Sequence, residues 1–277
     1  MNQRKISKKF FIILAICIIS VSFFYFKFEV HAAVKKSNTY DYKISGKEVA
    51  IVKYKGKAGK VVIPPKIEGK KVTIIGTNAF KGNKYIKQVV IPASVKEIHY
   101  GAFYKCSSLK SIALPDGLTT LGDAAFARCV NLTDVSLPNS LKKIGAKVFK
   151  ECKSLVEVIL PNNLSVLSDY TFEGCEKLSK VTLPSKLKII GNFAFYDCSS
   201  LNIDAIPQYV TTIGDGSFSG CKSITNILLS DKLEIIGNGA FYDCVKLKQV
   251  ILPENLKDLG SGVFMDCDNI EQISMLS

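Results

Sequence analysis

Leu109-Lys110-Ser111-Ile112-Ala113-Leu114-Pro115-Asp116-Gly117-Leu118-Thr119-Thr120-Leu121-Gly122-Asp123-Ala124-Ala125-Phe126-Ala127-Arg128-Cys129 is one period of a pattern that returns every 23 residues. Eight of the nine cysteines keep that spacing, from Cys106 through Cys129, Cys152, Cys175, Cys198, Cys221 and Cys244 to Cys267. Phenylalanine keeps it too, from Phe80 to Phe264, so about nine units are present. A period between about 20 and 50 residues marks a solenoid, propeller or array. In a stack of like units each one contacts only its neighbours, so function is expected on a surface rather than in one enclosed cleft.

The two halves of a unit have different periods. The segment Leu109 to Leu114 holds a Leu-x-x-Ile-x-Leu pattern whose Ile112 and Leu114 alternate as on a strand with one buried face, and Pro115 ends that run. Gly122, Phe126, Cys129 and Leu132 follow with apolar residues three apart, the spacing of a short helical or 3₁₀ turn. The expected fold is an α/β repeat: a solenoid with a parallel β-sheet on its concave face and short helical or 3₁₀ turns on its convex face. Strands about 4.8 Å apart would make nine units a body on the order of 43 Å long.

The Leu-x-x-Ile-x-Leu-Pro-x-x-Leu-x-x-Leu-Gly-x-x-Ala-Phe-x-x-Cys unit resembles the BspA-like leucine-rich repeats of bacterial secreted and surface proteins. The resemblance covers roughly residues 75 to 277 and implies ligand or host-protein binding at a cell surface, with no common chemistry. The lead-in, Tyr42-Lys43-Ile44 through Val61-Val62-Ile63-Pro64 and Gly69-Lys70-Lys71-Val72, is similar to that family's strand-rich entry. The expected organisation is an export segment over 1–32, a β-rich N-terminal cap over 33–75, and repeats over 76–277.

Arg4, Lys5, Lys8 and Lys9 precede an uncharged run from Phe10 to Phe26, with Val30-His31-Ala32 at a plausible cleavage site. This reads as a secretory signal, and an uncleaved membrane anchor is the alternative, since the run is at the lower length limit for spanning a bilayer. Either way the repeats are expected outside the cell, secreted or displayed on the surface. The formal charge is +13, of which residues 1–32 carry +4, leaving +9 for the remainder. That balance favours anionic partners, including acidic proteins, wall polymers and sulphated polysaccharides. Nucleic acid is disfavoured, because export and the lack of an interleaved aromatic and glycine signature both argue against it.

The eight periodic cysteines share an apolar slot, where a free thiol acts as a small hydrophobe. Buried free thiols are expected, with disulfides the competing reading in an exported chain. The spacing suits no zinc site, and no cofactor is expected. Nor is catalysis: beyond residue 32 the only histidine is His99, tryptophan is absent, and no nucleophile, metal-protease or phosphate-loop motif appears. His99 stands in a column otherwise held by Gly76, Gly122, Gly145, Gly191, Gly214, Gly237 and Gly260, a slot expected to need positive φ. Asp204 falls in the inward column of Ile112, Val135, Val158, Val181, Ile227, Val250 and Ile273. A buried unpaired carboxylate costs several kcal/mol, so that unit must adjust, either by a bulge that turns Ile203 inward or by pairing or protonating Asp204.

Strand positions that face outward carry no repeated residue type. The candidate partner-binding surface is Val90, Glu157, Ile159, Lys180, Thr182, Ile203, Leu228 and Ile251, a mixed apolar and polar set of the kind protein interfaces use. A second column places Lys96, Lys142 and Lys188 two units, about 10 Å, apart on one edge, with Lys257 further along. It is the candidate site for an anionic polysaccharide or wall polymer.

Overall fold

The computed structural model describes residues 32–275. The basic and apolar run read above as an export signal lies outside the described residues.

The chain enters through an antiparallel hairpin, Tyr40–Ser45 against Glu48–Tyr54, closed by Gly46 at positive φ. Lys70–Ile75 then lies parallel to Glu48–Tyr54, and from there strands that pair with the preceding coil do so in parallel, with interruptions between Asp134–Ser136 and Glu157–Ile159 and between Lys143–Ile144 and Val166–Leu167. Most coils supply two short strands, which fall into two ladders, each interrupted along the molecule. The first comprises Lys60–Val62, Gln88–Val90, Ser111–Ala113 and Asp134–Ser136, then Glu157–Ile159 with Lys180–Thr182, then Asn226–Ile227, Gln249–Leu252 and Gln272–Met275. The second runs from Lys70–Ile75 through Glu97–Ile98, Thr120–Leu121 and Lys143–Ile144, then from Val166–Leu167 to Asp258–Leu259. Register between coils is 23 residues, as in Ser111 opposite Asp134. The proline turns the chain from one ladder to the other, with Leu118 N–H donating to Pro115 O at 2.9 Å and the same bond at Val95 to Pro92 and Leu187 to Pro184.

Among the described residues there is no helix, so the expected helical segments are corrected to stacked turns. The cause is a pair of left-handed residues in each coil, four apart, such as Gly101 with Lys105, Ala124 with Arg128, and Tyr170 with Gly174. A left-handed residue ends a right-handed helix. Alternate N–H groups therefore point two ways. Ala102, Tyr104 and Cys106 donate three residues back, to His99, Gly101 and Phe103. Gly101, Phe103 and Lys105 donate to the next coil, to Asp123, Ala125 and Ala127 at 2.8–2.9 Å. A helix would spend all of these donors internally. Here half of them tie coil to coil, and a third ladder results.

The core is continuous and apolar. Phe80, Phe103, Phe126, Phe149, Phe172, Phe195, Phe218 and Phe241 are fully buried, and with Phe264 they stack ring on ring at centroid spacings of 4.8–5.8 Å. Tyr54 and Tyr40 extend the stack into the entry hairpin. Offset-stacked rings at this spacing attract beyond the area they bury. Beside them the eight cysteines are free and buried, and each thiol donates to the phenylalanine carbonyl one coil back, from Cys106 on Phe80 O at 3.1 Å to Cys267 on Phe241 O at 3.0 Å. The buried slot thus satisfies the thiol without a disulfide. Denaturing alkylation of the unreduced protein is expected to add a label to each of the eight; a mass that shows none would mean that they are paired.

The glycine column needs a different explanation from the one its sequence suggested. Gly76, Gly145, Gly191, Gly214, Gly237 and Gly260 are not at positive φ. They are required by close approach: a Cβ on Gly145 would lie 2.5 Å from Asp123 N and 2.7 Å from Gly122 C. His99 occupies the slot with its N–H on Ile75 O at 2.9 Å and its ring 2.8 Å from the Glu97 carboxylate. Ser168 occupies it where the second ladder is interrupted, between Lys143–Ile144 and Val166–Leu167, and its hydroxyl donates to Ile144 O at 2.7 Å in place of a backbone N–H. The turn ladder stays closed there, with Lys147, Phe149 and Glu151 donating to Asp169, Thr171 and Glu173.

Candidate surface site on the first strand ladder

On a strand with one buried face, odd and even residues separate into core and surface. Val89, Ile112, Val135, Val158, Val181, Ile227 and Val250 point inward and are buried. Their neighbours point out and build one continuous face. Ile159 and Leu228 are 62% and 64% exposed, Val90 is exposed, and Thr182 is exposed between them. Ile251 is half-buried. Glu157 and Lys180, on adjacent coils, form an ion pair at 2.9 Å in which both side chains remain largely open. Exposed pairs of this kind contribute on the order of 0–1 kcal/mol, so they are available to a partner at small cost.

Ile203 does not belong to the face. It is 7% exposed and turned inward, while Asp204 points to solvent. The bulge is the cheaper answer to a carboxylate in an apolar column, because burying the charge would cost several kcal/mol and shifting one residue places an isoleucine there instead. The shift costs the ladder its register. Lys180–Thr182 pairs only with Glu157–Ile159, and on the other side Ala205 bridges Leu228. A shallow, open depression lies over this interruption, lined by Lys180, Val181 and Leu183 and by Asp204, Ala205 and Ile206.

The face also reaches further than the sequence reading took it. Val62, 61% exposed, sits opposite Val90 in the entry strand Lys60–Val62. Lys60-Val61-Val62-Ile63-Pro64 repeats Gln88-Val89-Val90-Ile91-Pro92, so the signal was present in the lead-in.

The lysine column lies elsewhere, at the start of the second ladder. Lys96, Lys142 and Lys188 are exposed, whereas Lys257 is committed to Glu234 at 3.0 Å. Their neighbours in the column close the spacing through side chains, as Thr119 and Thr211 donate to the carbonyls of Lys96 and Lys188.

A further column was not singled out from the sequence. The residue after the glycine slot accepts a backbone N–H from the next coil: Asp123 from Ala146, Asp169 from Asn192, Asn192 from Asp215, Asp215 from Asn238 and Asn238 from Ser261, at 2.7–3.0 Å. Asp and Asn share a side-chain oxygen of the right reach, which is why the residue type alternates. Burial raises the carboxyl of Asp169, against the backbone bond and Lys147, which lower it. This ladder is structural.

The family model of the BspA type leucine rich repeat region matches residues 73–202 and 188–277, in six copies. Among solved structures, a leucine rich repeat protein of T. pallidum is 29% identical, with a TM-score of 0.55 over 87% of this chain and 92% of that one. A leucine rich cell surface protein of Faecalibacterium prausnitzii is 21% identical, with a TM-score of 0.56 over 90% and 96%. The pneumococcal vaccine antigen PcpA is 19% identical, with a TM-score of 0.51 over 88% and 81%. The last two likenesses are of fold. No curated protein matches the chain.

Proposed function

The chain belongs to the BspA type leucine-rich repeat family, and from that we propose that it is an exported binding protein that holds another protein against its first strand ladder. The observation that carries this reading is the exposure of Ile159 and Leu228, at 62% and 64%, on a face whose inward positions are buried. Large aliphatics held open on a rigid sheet are unfavourable in water and favourable in an interface. Val62 and Val90 extend the apolar stripe toward the entry, and Glu157, Lys180 and Thr182 supply the polar groups that fix orientation. Binding energy in such interfaces concentrates in a few anchors near the centre.

The test is capture of extracellular proteins by the immobilised chain. Ile159→Asp with Leu228→Asp is expected to abolish capture and leave the circular dichroism spectrum unchanged, because both side chains face solvent. Reversing Lys96, Lys142 and Lys188 to Glu is expected only to slow association, as rim charges do.

A second reading has an observation of its own: Lys96, Lys142 and Lys188 are exposed, two coils apart, and in no ion pair among the described residues. It assigns the protein to an anionic polysaccharide. Retention on a heparin column that collapses between low and physiological salt, and vanishes in the lysine triple variant, would favour it over the strand face.

A further inference from the structure

Charge is divided unevenly along the solenoid. Residues 33–110 hold seventeen lysines against Asp41, Glu48, Glu68 and Glu97, a net of +13, whereas residues 111–277 hold fifteen lysines and arginines against nineteen acids, a net of −4. The later coils balance their basic residues and the entry end does not. Its acids are also engaged already. Asp41 is paired with Lys55 and Glu68 with Lys35, both at 2.7 Å, Glu97 lies against His99, and Glu48 stands opposite Lys71 in the strand register. Of the seventeen lysines, only Lys35 and Lys55 enter an ion pair among the described residues.

Five of the others gather at one corner, where the turns lead into the first strand ladder. Lys60 stands opposite Gln88, Lys87 N–H donates to Gly59 O at 2.7 Å, and Lys110 N–H donates to Lys87 O at 3.0 Å, so three successive coils each bring a lysine to this edge. Lys84 precedes Tyr85 on the same corner, its carbonyl accepting the Ser108 hydroxyl at 2.6 Å, and the Lys57 ammonium lies 5.7 Å from the centre of the Tyr85 ring. All five lysines are exposed, and Tyr85 among them is 50% exposed. Like charges on neighbouring strands repel. The fold does not require them here, because one coil further Thr133 fills the same backbone place, its N–H on Lys110 O at 2.9 Å.

We propose that this corner is a docking track for a sulphated polysaccharide, whose sulphates meet the five lysines and one of whose sugar rings lies against Tyr85. A row of cations rising coil by coil, roughly 4.8 Å at each step, follows a linear polymer. Residues 33–110 contain no arginine, which speaks against a folded protein partner, since protein interfaces are enriched in arginine and depleted in lysine. Lysine is a point charge on a flexible stem, suited to anions repeated along a mobile chain. The tyrosine separates a sugar polymer from a bare polyphosphate, because the negative face of an aromatic ring attracts the polarised C–H bonds of a pyranose. This site is independent of the strand face, and it competes with the column of Lys96, Lys142 and Lys188 as the place where anions bind.

The test measures binding of the full chain to heparin, polyphosphate and polyglutamate of matched charge number across a range of salt. One variant combines Lys57→Gln, Lys60→Gln, Lys84→Gln, Lys87→Gln and Lys110→Gln. A control of equal net charge combines Lys143→Gln, Lys177→Gln, Lys186→Gln, Lys246→Gln and Lys248→Gln, all exposed and in no ion pair among the described residues. Both are expected to keep the circular dichroism spectrum of the parent. Each lysine that neutralises a polyanion releases condensed counterions, so the logarithm of affinity falls linearly with that of salt, with a slope close to the number of contacts. The entry variant is expected to bind heparin at least about tenfold more weakly at physiological salt, with a slope shallower by about three or more. The control should lose less than about threefold, since net charge acts only at long range. Tyr85→Ala is expected to weaken heparin and leave polyphosphate unchanged. Equal losses in the two five-lysine variants would reduce the effect to net charge and overturn the site. Heparin binding that survives in the entry variant but vanishes when Lys96, Lys142 and Lys188 are reversed would move it to the column. Polyglutamate binding as tightly as heparin would assign the corner to an acidic protein instead, and a Tyr85→Ala effect that is equal for heparin and polyphosphate, or absent from both, would overturn the sugar contact.

Discussion

Raising the pH from about 8 to about 11 under reducing, anaerobic conditions is expected to unfold the solenoid in one steep transition. The cause is the cysteine column. Burial pushes the Cys106 thiol up to about 12, and burial likewise raises Cys129, Cys152, Cys175, Cys198 and Cys221. The Cys267 thiol beside it, and then burial, do the same to Cys244. In the folded protein these seven thiols stay protonated where those of an unfolded chain, titrating near 9, have ionised. The unfolded state then binds fewer protons than the native state, so stability is complete below about pH 9 and is lost as the pH rises toward the native values. Each thiol contributes a slope of about 1.4 kcal/mol per pH unit once its unfolded form is ionised, roughly 10 kcal/mol per unit for seven. A domain stable by about 5–15 kcal/mol cannot withstand that over two units. The check is circular dichroism against pH. Replacing Cys129, Cys152, Cys175 and Cys198 by Ala should cut the number of protons released on unfolding by about four. A transition of unchanged steepness in that variant would show that the thiols do not drive it.

Phe172→Ala is expected to cost about 3–5 kcal/mol, the usual cost of removing a fully buried phenylalanine. Phe172 is in the middle of the ring stack, 5.5 Å from Phe149 and 5.4 Å from Phe195, and has no exposed surface. Its loss removes two ring contacts and opens a cavity whose walls are held by neighbouring coils. Stability in a linear array is a sum of unit and interface terms, so a defect at the centre also weakens the link between the two halves. Phe264→Ala at the last coil, where the ring is half-buried and stacks on Phe241 alone, should cost distinctly less. Chemical denaturation of both variants measures the contrast. Equal losses at the two positions, or an unchanged midpoint for Phe172→Ala, would mean that the ring column does not behave as a cooperative spine.

The inward columns were legible because the same environment recurs every 23 residues and selects the same residue type. Phe, Cys and the alternating aliphatics each announce a buried slot, and the structure buries nearly all of them. The outward columns were legible only as positions. Their side chains vary, and variation says that a residue faces solvent without saying what meets it there. Ile159 and Leu228 are where the alternation puts them, while Ile203 is not, because its neighbour Asp204 overrides the alternation locally.

The sequence by itself determined the period, the core and the order of the coils, since those follow from which residues must leave water. It also marked Asp204 as the place where one coil must adjust. Only the tertiary structure decided how. Whether a buried turn is a helix depends on where its N–H groups find acceptors, and here those lie on the next coil, 22 residues away in sequence, as Phe103 finds Ala125. Whether a glycine serves a left-handed φ or a close approach depends on the backbone one coil below, as Gly145 meets Asp123. The loss of strand pairing beside Ala205 depends on how its coil seats on the one before it while the other two ladders stay bonded. A pattern of residue types reports burial one position at a time, whereas these features are distances between coils, which exist only once the coils are stacked.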